Sequence, residues 1–309
     1  MSKLALLFPG QGSQKVGMGR EFYDQVHEFR TGFVQIAKLL DIDLEYLCFE
    51  ENDLLNETEY AQVAITSVSA LIYDQVQKSL KGRKLYFAGH SLGEFGALYA
   101  ANVWDLETML KLVRYRGNIM AETALIHPGK MAAIIGGDSD KIQTLCLLLS
   151  EEGNPVQIAN YNLPSQTVIS GTASGLEEFS KRLLEVGGKR MIYLKVSGAF
   201  HSELMQDAAL KLLKKIQYTK KNIPEHPVIM NANAKEIDID KLDETIAMQL
   251  MRPVRFYESI EYLLSIGIDT FVEIGPGNVL TNMVKKIAPE AVCLAINTPE
   301  DINSLEALL

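Results

Sequence analysis

Apolar positions along the chain fall into two alternating patterns. Short unbroken runs bounded by glycine or proline read as buried strands, and longer stretches with apolar residues three and four apart read as helices. Lys3–Phe8 is the first run. A glycine-rich loop, Pro9–Gly17, leads from it into a helical pattern that continues through Phe33. Helical periodicity returns over Thr58–Ser79, where Ala61, Ile65, Val68, Leu71, Ile72 and Val76 form one stripe. Gln62 is a polar residue near its start, and surface placement is the commoner reading for such a residue. Strand Lys84–Ala88, a turn centred on Ser91, and helices Glu94–Ala101 and Leu106–Ala124 follow.

From Lys130 the rhythm changes. Strand Met131–Gly137, helix Ser139–Glu151, strands Val156–Tyr161 and Thr167–Gly171, helix Gly175–Val186 and strand Arg190–Val196 give the order β-α-β-β-α-β of a ferredoxin-like unit. Pro128-Gly129 and Ser197-Gly198 are its expected hinges. The chain then returns to the first body. A helix starting at Gly198–Ser202, a short strand at Pro227–Asn231 and helices Asp243–Met251 and Phe256–Ser265 come next. Strand Thr270–Ile274, a Gly275-Pro276-Gly277 turn, helix Val279–Ile287 and strand Ala291–Asn297 finish the pattern.

The expected fold class is α/β. A large, mostly parallel-sheet, hydrolase-like domain (1–127 and 198–309) should carry an inserted small ferredoxin-like α+β domain (128–197).

Composition narrows the function classes. A net charge of -9 argues against nucleic-acid or anionic-membrane partners, and no apolar run approaches the length of a membrane span. The opening residues are too short in their apolar part for a secretory signal. Cys48, Cys146 and Cys293 are widely spaced, without metal-binding or disulfide patterning, which suits inert buried thiols in a reducing, cytoplasmic setting. No bound metal or cofactor is expected.

The chemistry gathers at Gly89-His90-Ser91-Leu92-Gly93. A strand entering Gly-x-Ser-x-Gly and leaving as a helix holds the serine on a strained corner with its hydroxyl exposed, so Ser91 is a candidate nucleophile. The bland alternative is a glycine-flanked serine in an ordinary turn. His201, after small residues at the return from the inserted domain, is the candidate base, a structural histidine being the commoner case. His90 is less suited, because adjacent residues on a turn point apart. No acid is obvious as a third member: Glu273 could serve or could cap a strand end, and a backbone or amide carbonyl could orient the imidazole instead. The Pro9–Gly17 loop lacks the spacing of a nucleotide site and could donate backbone N–H groups to a neighbouring site. Arg114 and Arg116 project from different faces of one helix, where solvated arginines are common.

Seven pieces in order resemble the malonyl-CoA:acyl carrier protein transacylases and their acyltransferase relatives in polyketide synthases. They are Phe8–Gln14, Gly89–Glu94, Arg116-Gly117 with Met120, Asn160–Asn162, Gly198–His201, Gln249 with Pro253-Val254, and Glu273–Gly277. The resemblance implies that Ser91 takes a malonyl group, His201 acts as base and then acid, and the N–H groups of Gln11 and Leu92 form the oxyanion hole. It further implies that the Gln249 carbonyl orients His201, that Arg116 grips the substrate carboxylate, and that Gln62 and Asn162 support the acyl pocket. Phe200 resembles the malonyl-selective form. Two positions depart from the pattern: Asn102, where glycine is usual, and Leu163, where serine is frequent.

The implied reaction is ping-pong transfer from malonyl-CoA to the pantetheine thiol of acyl carrier protein in fatty-acid synthesis, the coenzyme A thioester and the pantetheine thiol both being substrates and not bound cofactors. The expected partners are malonyl-CoA and an acyl carrier protein, the latter docking on a basic patch drawn from Lys181, Arg182, Lys189, Arg190, Lys214 and Lys215. A monomer is the expectation, although nothing in the sequence sets the oligomeric state. The alternatives are a trans-acting polyketide acyltransferase, a serine thioesterase or hydrolase, and a non-catalytic carrier-binding scaffold.

Overall fold

Each apolar run predicted as a strand forms one in the computed structural model, which describes residues 3–309; the part of the chain-start expectation that concerns Met1 and Ser2 lies outside them. The strands are β1 (Lys3–Phe8), β2 (Lys84–Gly89), β3 (Lys130–Gly136), β4 (Val156–Leu163), β5 (Gln166–Gly171), β6 (Gly188–Tyr193), β7 (Val228–Ile229), β8 (Thr270–Ile274) and β9 (Val292–Ile296). One sheet has the order β7-β2-β1-β8-β9 with every neighbouring pair parallel. A second has the order β4-β5-β3-β6 with every neighbouring pair antiparallel.

The parallel sheet is covered on both faces, and β1 shows why its sequence is continuously apolar. Leu4, Leu6 and Phe8 enter one core with Phe87, Val272 and the helix Thr58–Val76. Ala5 and Leu7 enter the opposite core with Tyr86, Phe271, Phe256, Ile260 and Leu263. Burying a side chain of this size contributes about 1.5–3 kcal/mol, which is why β1 is apolar at every position from Leu4 to Phe8. The antiparallel sheet has its own core, in which Ile134 and Ile158 meet Leu145 and Phe179. β4 is tied to the larger body at Val254, which packs in the core of Ala5 and Leu7: Tyr161 N–H donates to Val254 O (2.9 Å) and Val254 N–H donates to Ala159 O (2.8 Å).

Several local expectations are corrected. The helix Thr58–Val76 is buried nearly all round, because it lies among the sheet and the helices His27–Leu40 and Leu106–Ile126; Gln62 is therefore fully buried, so the bland surface alternative for it fails while its expected place at the site does not. The first helical pattern breaks at Val26 and then runs on to Leu40. The predicted helix Gly175–Val186 divides into an α-helix, Ala173–Lys181, and a 3₁₀ turn, Leu183–Val186. His201 does not begin a helix. It occupies a left-handed turn (φ 57°), and the α-helix starts only at Gln206.

Two helices were absent from the sequence reading, Leu44–Phe49 and Pro299–Leu308. Cys48 and Cys146 are buried, with burial pushing each thiol up to about 12, whereas Cys293 is only half-buried. Asn102 sits at φ 63°, a conformation that costs glycine nothing and that asparagine tolerates, which accounts for its standing where glycine is usual.

Candidate active site

Ser91 caps the end of β2 in a left-handed conformation (φ 51°). The flanking glycines are there for space: a Cβ on Gly89 would lie 2.0 Å from the Gly93 carbonyl carbon, and one on Gly93 would lie 1.9 Å from Phe8 O. The turn is held from below by Asn231. Its Oδ1 accepts from Ser91 N–H (2.6 Å), and its Nδ2 donates to Gly89 O (2.7 Å).

Ser91 Oγ lies 2.7 Å from His201 Nε2, and His201 Nδ1 lies 2.8 Å from the main-chain carbonyl of Gln249. A carbonyl only accepts, so Nδ1 carries the proton and Nε2 is left free to accept from the serine. Burial, followed by the nearby Arg116 charge, pushes His201 down to about 3 against the pull of the Gln249 carbonyl. The resting imidazole is neutral. Gln157, on β4, fixes the turn that presents it: Nε2 donates to His201 O (3.2 Å) and Met251 O (3.1 Å), while Oε1 accepts from Glu203 N–H (3.0 Å). Glu273 is not a third member of the pair. Its carboxylate accepts from Leu280 N–H (3.2 Å), Thr281 N–H (2.9 Å) and Thr281 Oγ1 (3.0 Å), which caps the helix Val279–Ile287.

Arg116 is 1 % exposed despite its charge, whereas Arg114, on another face of the helix, reaches Leu40 O. Arg116 Nη1 donates to Gln62 Oε1 (2.7 Å), and Nη2 donates to Gln249 Oε1 (3.0 Å) and Ser91 Oγ (3.2 Å). Among the described residues, Arg116 Nε finds no acceptor. Burial lowers this guanidinium to about 10, with the charge of Glu94 acting the other way. It is still cationic at neutral pH.

These groups open onto a cavity of about 200 Å³ between the two sheets. Gln11, Leu92, Asn162 and Phe200 all line it. Among the described residues, the backbone N–H groups of Gln11 and Leu92 have no acceptor within the protein. Asn162 Oδ1 is held by His90 Nε2 (2.8 Å), so the His90 ring is engaged away from Ser91. Met120, Met131 and Met283 supply an apolar wall. No cluster of His, Cys, Asp or Glu side chains among the described residues could hold a metal ion, and no helix is long and apolar enough to cross a membrane.

Sequence reasoning missed three positions: Glu94, Asn231 and Gln157. Glu94 stands inside the quoted motif, and its place at the elbow was the available signal. Asn231 and Gln157 carry none, since they reach the site from remote segments.

Residues 5–298 match the acyl transferase domain family. The chain is 43 % identical over 306 residues to the malonyl CoA-acyl carrier protein transacylase of Bacillus subtilis, covering 98 % of this chain and 96 % of the relative. It is 39 % identical to the Staphylococcus aureus protein of the same name, covering 98 % of each. A Streptococcus pneumoniae structure described as MCAT superposes with a TM-score of 0.93 at 38 % identity, covering 99 % of this chain and 100 % of that one. A malonyl-transacylase solved in complex with a type II PKS acyl-carrier protein superposes with a TM-score of 0.94 at 32 % identity, covering 100 % of both.

Proposed function

The chain belongs to the acyl transferase family, and on that premise we propose how its residues divide the work of malonyl transfer. The enzyme is an acyltransferase that moves the malonyl group from malonyl-CoA to acyl carrier protein in fatty-acid synthesis. Ser91 Oγ attacks the thioester carbonyl as His201 Nε2 takes its proton. The oxyanion receives the N–H groups of Gln11 and Leu92, each worth about 3 kcal/mol in such a role. Collapse of the tetrahedral species breaks the C–S bond, and the leaving thiolate takes the proton back from His201. The carrier's pantetheine thiol then repeats the sequence in reverse on malonyl-Ser91.

The observation that carries this reading is a buried guanidinium 3.2 Å from the nucleophile, with one N–H unsatisfied. Arg116 lines the cavity beside the nucleophile, where a substrate carboxylate would give this buried charge a charge-assisted partner. A hydrolase of neutral esters has no use for it. Gln62 and the Gln249 side chain hold the guanidinium, the Gln249 carbonyl orients His201, and Asn162 and Phe200 shape the acyl pocket.

The reading also includes a hydrolase-like body (1–127 and 198–309) and a ferredoxin-like insertion (128–197), supported by the two sheet orders and the separate core of the smaller sheet. We take the enzyme to be a cytoplasmic monomer without a bound cofactor. Within the basic patch, Lys181 pairs with Glu178, Arg182 pairs with Glu185 and Lys215 lies over Tyr115, which leaves Lys189, Arg190 and Lys214 to meet an acidic carrier. A polyketide role is the second reading, favoured by the similarity to the complex with a type II PKS carrier protein. Steady-state transfer from malonyl-CoA to holo acyl carrier protein, with free malonate measured alongside, tests the assignment. Carrier loading far above hydrolysis is expected; malonate release equal to loading would make the protein a thioesterase.

A further inference from the structure

Glu94 is a fully buried carboxylate one turn beyond the nucleophile, and neither proton transfer nor oxyanion binding uses it. Its hydrogen bonds run elsewhere. Oε1 accepts from Asn231 N–H (2.5 Å), the residue that braces the Ser91 turn, and Oε2 accepts from Gln249 Nε2 (2.5 Å). Gln249 Nε2 also donates to Ser91 O (2.9 Å), and Gln249 Oε1 faces Arg116 Nη2 (3.0 Å).

An amide offers an acceptor on one side and a donor on the other, and only the neighbours decide which faces which. A carboxylate only accepts. Facing one, Gln249 must turn its NH2 toward Glu94 and its oxygen toward the guanidinium. We propose that Glu94 is a positioning residue that sets the orientation of the Gln249 amide and, through it, the aim of Arg116 at the substrate carboxylate. This rests on the carboxylate-clamp reading of Arg116. Burial raises the Glu94 carboxyl to about 7 while the Asn231 N–H, the Gln249 amide and the Arg116 charge hold it down, so at pH 8 it is mostly ionised.

The test compares Ser91 acylation by malonyl-CoA and by acetyl-CoA at pH 8. Glu94→Gln preserves shape but presents an NH2 toward either Asn231 N–H or the Gln249 amide, and the second arrangement turns Gln249 over. We expect kcat/KM with malonyl-CoA to fall about tenfold, the size of one charge-assisted hydrogen bond, with acetyl-CoA changed less than about threefold. In a Gln249→Leu background, which keeps the main-chain carbonyl for His201, Glu94→Gln should cause no further loss of malonyl preference, since neighbours acting through one group are not additive.

Equal loss for both substrates, or an undiminished effect of Glu94→Gln in Gln249→Leu, would overturn the proposal. If Glu94→Gln does not fold, Gln249→Leu alone decides: unchanged malonyl preference there rules out Gln249 as the link. Absence of a malonyl adduct on the unaltered enzyme would instead remove the functional reading itself, so the two failures are separable.

Discussion

The turns after β2 and β8 are built alike. Each ends a strand adjacent to β1, passes through a glycine-bounded corner and starts a helix, Gly93–Ala100 in one case and Val279–Ile287 in the other. They differ in what becomes of the helix-start donors. After β8, the protein's own Glu273 consumes the Leu280 and Thr281 N–H groups. After β2, the nearby Glu94 carboxylate is directed away to Asn231 and Gln249, and Leu92, whose N–H has no backbone acceptor among the described residues, lines the cavity. A helix start attracts negative charge in either case. Where the chain supplies that charge itself the turn is structural, and where it withholds it a ligand can.

The largest break in this contrast is loss of the nucleophile. Ser91→Ala should lower malonyl transfer by at least about 10⁴-fold while leaving the fold intact, checked by carrier-loading kinetics and thermal unfolding. Arg116→Ala comes next: malonyl transfer should fall by about 10²-fold, the loss of a paired charge-assisted contact, with acetyl transfer affected far less. Equal losses would make Arg116 a packing residue.

The pH dependence sharpens the first turn further. With His201 held near 3 instead of 6.5, the imidazole stays neutral from pH 8 to 5.5, and acetyl-CoA acylation should hold its rate within about twofold over that range. A histidine at its ordinary value would lose about tenfold by pH 5.5. The same depression means that His201's contribution to folding stability is present above 6.5 and fades as pH falls toward 3, because the unfolded chain binds that proton first. The smallest effect belongs to the second turn. Glu273→Ala should cost about 1–3 kcal/mol of stability, seen as a lowered Tm, with the acylation rate of the folded enzyme within about threefold.

The strands and most helices were legible because apolar periodicity is a local property of the chain. Ser91 was legible for the same reason: its glycines and its strand-to-helix setting lie within a few residues. Arg116 shows the limit. Helical spacing alone marks it as a solvated arginine, and its burial follows from where Gln62 and Gln249 are carried by remote segments. Only family resemblance raised it. Asn231 lies beyond that limit, since a bond spanning 137 residues leaves no trace in spacing, and Glu94 is marked only by its place at the elbow. The helix Pro299–Leu308 is different. Thr298, Pro299 and Asp301 form a proline-led capping box, a local signal that could have been read.

On this mechanism the turn after β2 holds a serine that carries malonyl between two thiols. The most direct measurement is intact-mass analysis after brief exposure to malonyl-CoA, followed by addition of holo acyl carrier protein. One added malonyl group is expected, mapped to the peptide containing Ser91, that leaves the enzyme and appears on the carrier. No adduct, or an adduct on another residue that the carrier does not discharge, would contradict it.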